Sequence, residues 1–346
     1  MGRAVIRVWT SLLSQVLFVA LLAGGAQAAG TGTLFFPFEN DSYFSGHDYD
    51  YTNGLYASWT SDRLAKDSSL AGFLSGLFPS TPSNPNYRFG LFAGQSMFTP
   101  RRLDFAIPDP RDHPYGGWLY AGVRAYREDR EDAADPDSGF LLDRVEATLG
   151  VVGPASGAAN VQRWWHASGP FGGVTPRGWN YQIGNEPGLV ISGQRIRRYW
   201  ADLGGIEVEA LPEVTASVGN IYDYVGVGGM VRVGRHLHAD WGPARIEPGL
   251  TGADFVNDDA IRGFAWYVFA GTEGRVVLHN IFLDGNTIQP SRSVQRDNDV
   301  IDFVAGVGAL TQYFRIQSVF TLRSPEFATQ RGADEFLSVQ LSFPML

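Results

Sequence analysis

The sequence predicts an all-β fold: a transmembrane antiparallel β-barrel of about twelve strands, with a short helix in one connection on the extracellular side. Three observations lead there. The chain opens with the leader of an exported protein, period-two alternation recurs along the rest, and Gly and aromatic residues are abundant (Gly 42, Phe 23, Tyr 14, Trp 9) while Lys is scarce. That last balance is common in β-barrels and unusual in helical enzymes.

The leader reads MGRAVIRVWTSLLSQVLFVALLAGGAQAAG. Arg3 and Arg7 precede an apolar stretch over residues 12–22, followed by Ala26-Gln27-Ala28. This charged, apolar, small-residue order is that of a secretory signal peptide over residues 1–28, with cleavage after Ala28. The apolar stretch is short for a bilayer span of roughly 20 residues. Residues 29–346 then form one barrel domain with its loops.

Past the leader no apolar run is long enough for a transmembrane helix. In LYASWTS, Leu55, Ala57 and Trp59 share one face and Tyr56, Ser58 and Thr60 the other. The last segment alternates most clearly, with Leu337, Val339, Leu341 and Phe343 set against Ser338, Gln340 and Ser342. Strands are expected over residues 32–39, 53–61, 88–98, 118–127, 144–152, 188–198, 206–219, 225–235, 264–272, 301–311, 315–323 and 337–343. An even count puts both termini in the periplasm, so the first, third and fifth connections (40–52, 99–117 and 153–187) face outside. These connections carry most of the unusual polar residues. Within the last, residues 158–167 favour a short helix between Gly157 and Gly169.

Composition excludes several classes. Formal net charge is −9, which argues against nucleic-acid binding by charge. The chain has no Cys, hence neither disulfides nor thiolate metal sites. G-x-S-x-G, a P-loop, H-E-x-x-H and a dinucleotide fingerprint are all missing. What remains is a rim of candidates. Gln162 and His166 stand four apart on the expected helix and share a face, giving an imidazole for general-base work with a polar helper. Asn40 and Asp41 offer the oxygen donors that Ca²⁺ prefers. Arg101 and Arg102 follow Thr99-Pro100 as a possible anion clamp. His236 and His238 alternate at a strand end, as a metal pair would, but on the periplasmic side. His47, His113 and His279 show no obvious partner, and all five of these histidines are read as non-catalytic.

END at Glu39–Asp41, YTNG at Tyr51–Gly54, GQ at Gly94-Gln95, TP at Thr99-Pro100 and GWLYAG at Gly117–Gly122 follow in order. After them come GVVGPAS, VQ and H between Gly150 and His166, then GW, Q and NEPGL between Gly178 and Leu189, and GN and Y between Gly219 and Tyr222. This series resembles the outer-membrane lipid A 3′-O-deacylase family over nearly the whole mature chain. The resemblance implies a twelve-stranded outer-membrane barrel with a calcium-dependent esterase site at its outer end. Such a carboxylic ester hydrolase removes the 3′ acyloxyacyl chain from lipid A, or lipopolysaccharide, in the outer leaflet. It further implies that His166 is the catalytic base with Gln162 a turn before it, that Asn40 and Asp41 are the Asn-Asp pair with Asp41 near the metal, and that Thr52 is the motif Thr. A family Lys that holds substrate has no unambiguous counterpart, and Arg101 or Arg102 substitutes for it by charge. A family Tyr just after the catalytic helix is likewise unmatched, because that segment is Phe171-Gly172-Gly173. The expected partners are the lipid substrate and outer-membrane lipids, with neither nucleic acid nor a protein partner. Two alternatives stay open: an outer-membrane phospholipid esterase, and a non-enzymatic porin-like barrel.

Overall fold

A computed structural model describes residues 31–41, 50–78, 85–130, 140–168, 174–246, 248–257 and 263–345. The expected signal peptide, His47, most of the first connection and Phe171-Gly172-Gly173 lie outside the described residues.

Twelve antiparallel strands close on themselves, β1 pairing with β12. They are β1 (Gly32–Asn40), β2 (Asp50–Ser61), β3 (Asn86–Thr99), β4 (Gly116–Arg130), β5 (Phe140–Val152) and β6 (Glu186–Asp202), then β7 (Glu207–Gly219), β8 (Tyr222–Arg235), β9 (Ala265–Asn280), β10 (Asp299–Leu310), β11 (Arg315–Arg323) and β12 (Asp334–Met345). Each neighbour in the chain is a neighbour in the barrel. Closure gives every strand a partner on both sides, which a spanning sheet needs because lipid offers nothing to an unpaired N–H or C=O. Three short helices lie in the connections: α1 (Ser69–Ser75), α2 (Ala158–Ser168) and α3 (Ile281–Asp284). None is long and apolar enough to cross a membrane.

The two faces are inverted relative to a soluble barrel. Along β6 the side chains of Glu186, Ser192, Gln194 and Arg198 turn inward and are buried, while Leu189 and Ile191 between them face out. On β12, Ser338, Gln340 and Ser342 are buried while Val339, Leu341 and Phe343 are exposed. Outward apolar side chains such as Leu149 (64% exposed), Val227 (66%) and Leu278 (65%) have no protein to cover them, and a hydrocarbon solvent removes that cost. At the end that carries the termini, Tyr199, Trp200, Phe264, Tyr313 and Phe314 are exposed near strand ends, the position of an interfacial aromatic belt.

The lumen is filled from that same end. After β8 the chain turns at His236, which has left-handed backbone (φ 57°), passes through a 3₁₀ turn at Leu237–Ala239 and runs on inside the barrel. His236 and His238 therefore do not sit as a pair on one strand face, as their spacing had suggested. His238 instead packs edge-on to Trp200, 4.8 Å between centroids. Trp241, Leu250 and Phe255 of this insert pack with Tyr126, Tyr267 and Phe269 of the wall. Two carboxylates tie the insert to the wall. Asp240 pairs with Arg232 and, at 3.3 Å, with Arg315, and it accepts from Tyr267 (3.0 Å) and Gln317 (3.2 Å). Asp254 accepts from Ser58 (2.5 Å), Thr60 (2.9 Å), Arg124 (2.9 Å) and Tyr126 (3.0 Å). The insert reaches the opposite rim, where the Ile246 N–H donates to Glu39 (3.4 Å) and Arg323 donates to the Pro248 carbonyl (2.8 Å). One cavity between Tyr120, Tyr224 and Arg245 measures about 40 Å³.

Candidate active site

The site grows from an alternation at the end of β1. Glu39 points into the lumen, where Tyr51 Oη donates to it at 3.0 Å. Asn40, one residue on, must face out of the barrel. Yet Asn40 is only 6% exposed and Asp41 2%. Alongside, α2 covers the outer wall, Trp165 stacking on Phe38 of β1.

The approach of α2 is set by glycines. Gly153 (φ 84°) and Gly157 (φ 73°) take left-handed backbone on either side of a 3₁₀ turn at Pro154–Ser156, which swings the chain back over β4. A Cβ on Gly117 would lie 2.3 Å from that of Ala158, so α2 starts directly on the β4 backbone. Gln95 of β3 donates to the Ser156 carbonyl (2.7 Å), and Trp165 stacks on Phe38 of β1 (5.6 Å). The helix thus lies across the outer wall at the rim opposite the chain termini, and its far end sets Trp165, the residue before His166, on β1.

The wall supplies Asn40, Asp41 and Thr52. Asn40 Nδ2 donates to the Thr52 carbonyl at 3.0 Å. The β2–β3 register slips between Tyr51↔Phe98 and Asn53↔Met97, leaving Thr52 as the extra residue of a bulge. Such a bulge re-aims one side chain without ending the strand. Thr52 Oγ1 lies 2.7 Å from Thr99 Oγ1.

The helix supplies Gln162 and His166, a turn apart. His166 Nδ1 lies 2.6 Å from the Val174 carbonyl. A carbonyl only accepts, so Nδ1 carries the proton and Nε2 is left with its lone pair. Gln162 is 2% exposed, and Trp179 Nε1 donates to its Oε1 at 2.7 Å. Both orienting groups, Val174 and Trp179, come from the chain that returns after the helix. Trp179 packs against Tyr115 (4.9 Å) in a cluster with Met97, Leu103 and Ala158.

The oxygen donors fit a hard cation in kind. Asn40 brings an amide oxygen, its N–H donating to the Thr52 carbonyl, and Asp41 adds a buried carboxylate. Among the described residues no group of three or more His, Cys, Asp or Glu is placed to hold a metal. Ca²⁺ at this position would therefore complete its shell with backbone carbonyls, water or substrate.

The remaining candidates divide. Arg102 is exposed and bidentate to Asp104 (3.0 and 2.9 Å), with its guanidinium over Phe105. The Arg101 backbone N–H donates to Asp112 (2.9 Å). His279, without an obvious partner in sequence, lies 3.2 Å from Asp284 and 3.2 Å from the Asn220 carbonyl. The NEPGL motif builds the loop: Glu186 accepts from Asn220 (2.9 Å), Asn286 (3.1 Å) and Thr287, and Asn185 accepts from the Ala155 N–H (2.7 Å). Sequence reading missed Trp179, Gln95 and Thr99 as site-building residues, although each stands in a quoted motif.

His113 is buried, its ring stacked 5.5 Å from Phe98 and edge-on to Phe327, with Nδ1–H donating to the Pro114 carbonyl (2.7 Å). Burial pushes its pKa down to about 4. In the unfolded chain it titrates near 6.5. Between those pH values the unfolded chain binds a proton that the folded one does not, so stability is full above pH ~6.5 and falls as pH drops toward ~4, by roughly 3 kcal/mol at most. The unfolding midpoint in detergent is expected to drop between pH 7 and pH 5, and by less in His113→Phe.

The family model described as outer membrane protein LpxR matches residues 12–345, a range that contains every residue of this site. The chain belongs to the LpxR family. Among solved structures, LpxR from Salmonella typhimurium is similar at 22% identity and a TM-score of 0.69, covering 90% of this chain and 99% of that one. The β domain of the Bordetella autotransporter BrkA follows at 11% identity and a TM-score of 0.42, covering 91% and 99%. The translocator domain of NalP from Neisseria meningitidis has 10% identity and a TM-score of 0.36, covering 97% and 96%. No curated protein matches the chain. This LpxR-family chain is an outer-membrane β-barrel, as its twelve strands and inverted faces require.

Proposed function

We propose that this LpxR-family barrel is a lipid A 3′-O-deacylase that hydrolyses the ester of the 3′ acyloxyacyl chain in the outer leaflet, with Ca²⁺ as cofactor. The observation that carries the reading is the fixed tautomer of His166, whose Nδ1–H is held by the Val174 carbonyl so that Nε2 is a base.

His166 Nε2 takes a proton from water as the water oxygen bonds to the ester carbonyl carbon. When the bond to the sugar oxygen breaks, the imidazolium returns that proton to the leaving alkoxide. The products are a carboxylic acid and a free 3′ hydroxyl, and no acyl-enzyme forms. Gln162, sharing the helical face, supplies amide N–H donors for charge developing on the carbonyl oxygen. Asn40 and Asp41 would hold the metal, which when bound polarises the ester carbonyl. Thr52, re-aimed by the bulge, lines the wall beside them.

Position supports a lipid substrate. The helix lies on the outer wall, so an ester reaches the site from the leaflet with its acyl chains along the apolar exterior. A porin-like reading has less support, because an insert anchored by Asp240 and Asp254 fills the lumen. The test is mass spectrometry of lipid A incubated with the folded protein and Ca²⁺. Loss of one 3′ acyl unit is expected; intact lipid A alongside phospholipid hydrolysis would move the activity to another lipid ester. Chelation is expected to stop release and added Ca²⁺ to restore it, whereas Asp41→Ala lowers it about 100-fold or more, with no rescue at the same Ca²⁺ concentration.

A further inference from the structure

Gln162 carries a buried polar atom with no hydrogen-bond partner among the described residues. An indole N–H can only donate, and Trp179 Nε1 lies 2.7 Å from the Gln162 amide. The amide atom facing the indole must therefore be the oxygen, and Nε2 must point the other way. Nε2 is buried and has no hydrogen-bond acceptor among the described residues. A buried amide donor without an acceptor carries an energetic cost that a bound substrate oxygen would remove.

Trp179 is itself held firmly. It is 3% exposed, its ring meets Tyr115 at 4.9 Å, and it packs with Met97, Leu103 and Ala158. A Cβ on the preceding Gly178 would lie 2.5 Å from Tyr115 Cε2, so the turn is set close against that ring. The Arg177 N–H donates to the Leu103 carbonyl (2.9 Å), and the Ile183 N–H to that of Tyr115 (3.0 Å), fixing both sides of the turn to the neighbouring connection.

We infer that Trp179 is a positioning residue: its indole N–H locks the Gln162 amide with the NH₂ group presented to the ester carbonyl oxygen. The inference rests on the deacylase reading of the same site. Without the indole N–H, the amide can rotate half a turn about Cγ–Cδ and present its oxygen, which repels the developing oxyanion. The return segment then performs two matched tasks, setting the His166 tautomer through Val174 and the Gln162 amide through Trp179.

The experiment is a double-mutant cycle on lipid A hydrolysis with Ca²⁺ present. Trp179→Phe keeps a ring in the cluster and removes the donor; kcat is expected to fall about 10-fold with KM little changed, against about 100-fold for Gln162→Ala. In the Gln162→Ala background, Trp179→Phe should cost nothing more, because the amide it orients is gone. The same loss in both backgrounds would mean that Trp179 only packs, and would overturn the inference. A second readout needs no turnover. The indole N–H resonance that disappears in Trp179→Phe should shift in Gln162→Ala, and an unmoved resonance refutes the hydrogen bond. A wild type that leaves lipid A intact overturns the deacylase reading and the positioning role together; an active wild type matched by Trp179→Phe overturns the positioning role alone.

Discussion

His166→Ala is expected to lower the rate of acyl release by about 10² to 10⁴-fold, the range that a positioned general base contributes. The variant removes an imidazole whose tautomer the Val174 carbonyl fixes at 2.6 Å. Because His166 lies at the rim and the strands close independently of it, the barrel should fold as in the wild type. The check pairs lipid A mass spectrometry with the heat-modifiable band of a folded barrel on unheated gels. A normal folded band with undiminished release would remove His166 from the mechanism. His166→Gln, which keeps a polar side chain but offers no comparable base, should be as inactive as Ala.

Asp240→Ala is expected to damage the fold rather than the chemistry. Asp240 is buried and faces two arginines, Arg232 and Arg315, together with Tyr267 and Gln317. Removing the carboxylate leaves Arg315 without its carboxylate partner among the described ion pairs, while Arg232 keeps only Glu209 at 2.8 Å. Breaking one side of a buried ion pair costs about 3–5 kcal/mol, because the remaining charge stays desolvated. The folded band should disappear at a clearly lower temperature than in wild type. The insert should also loosen, so that conductance across planar bilayers rises from a closed baseline. Asp240→Asn keeps the hydrogen bonds to Tyr267 and Gln317 in part and should fall between the two. An unchanged melting temperature in Asp240→Ala would show that the insert is held by its apolar contacts, such as Trp241 with the wall.

The wall of the barrel was legible in the sequence because alternation is local. Leu337, Val339, Leu341 and Phe343 declare an outward face within one strand, and all twelve expected strands are present, most lengthened by a few residues at their ends. The helix was also legible, expected over 158–167 and found at Ala158–Ser168 after the turn at Gly153–Gly157. The lumen insert was not. Residues 236–257 have no period, and their burial depends on partners as distant as Ser58 and Arg124, with no signature in the local pattern. His236 and His238 were misread for that reason, since a left-handed residue ends the strand before they can share a face.

The sequence by itself determined the inverted alternation of a membrane barrel, and it offered Asn40, Asp41, Thr52, Gln162 and His166 as candidates, placed on one rim by strand parity. Only the tertiary structure decided that the helix carrying Gln162 and His166 lies across the outer wall, with Trp165 stacked on Phe38 of β1, rather than in the lumen. It also decided which nitrogen of His166 carries the proton and which way the Gln162 amide faces. The reason is physical: residue type and spacing follow from the chain alone, but a tautomer or an amide orientation is fixed by one acceptor or donor that another segment brings within 3 Å.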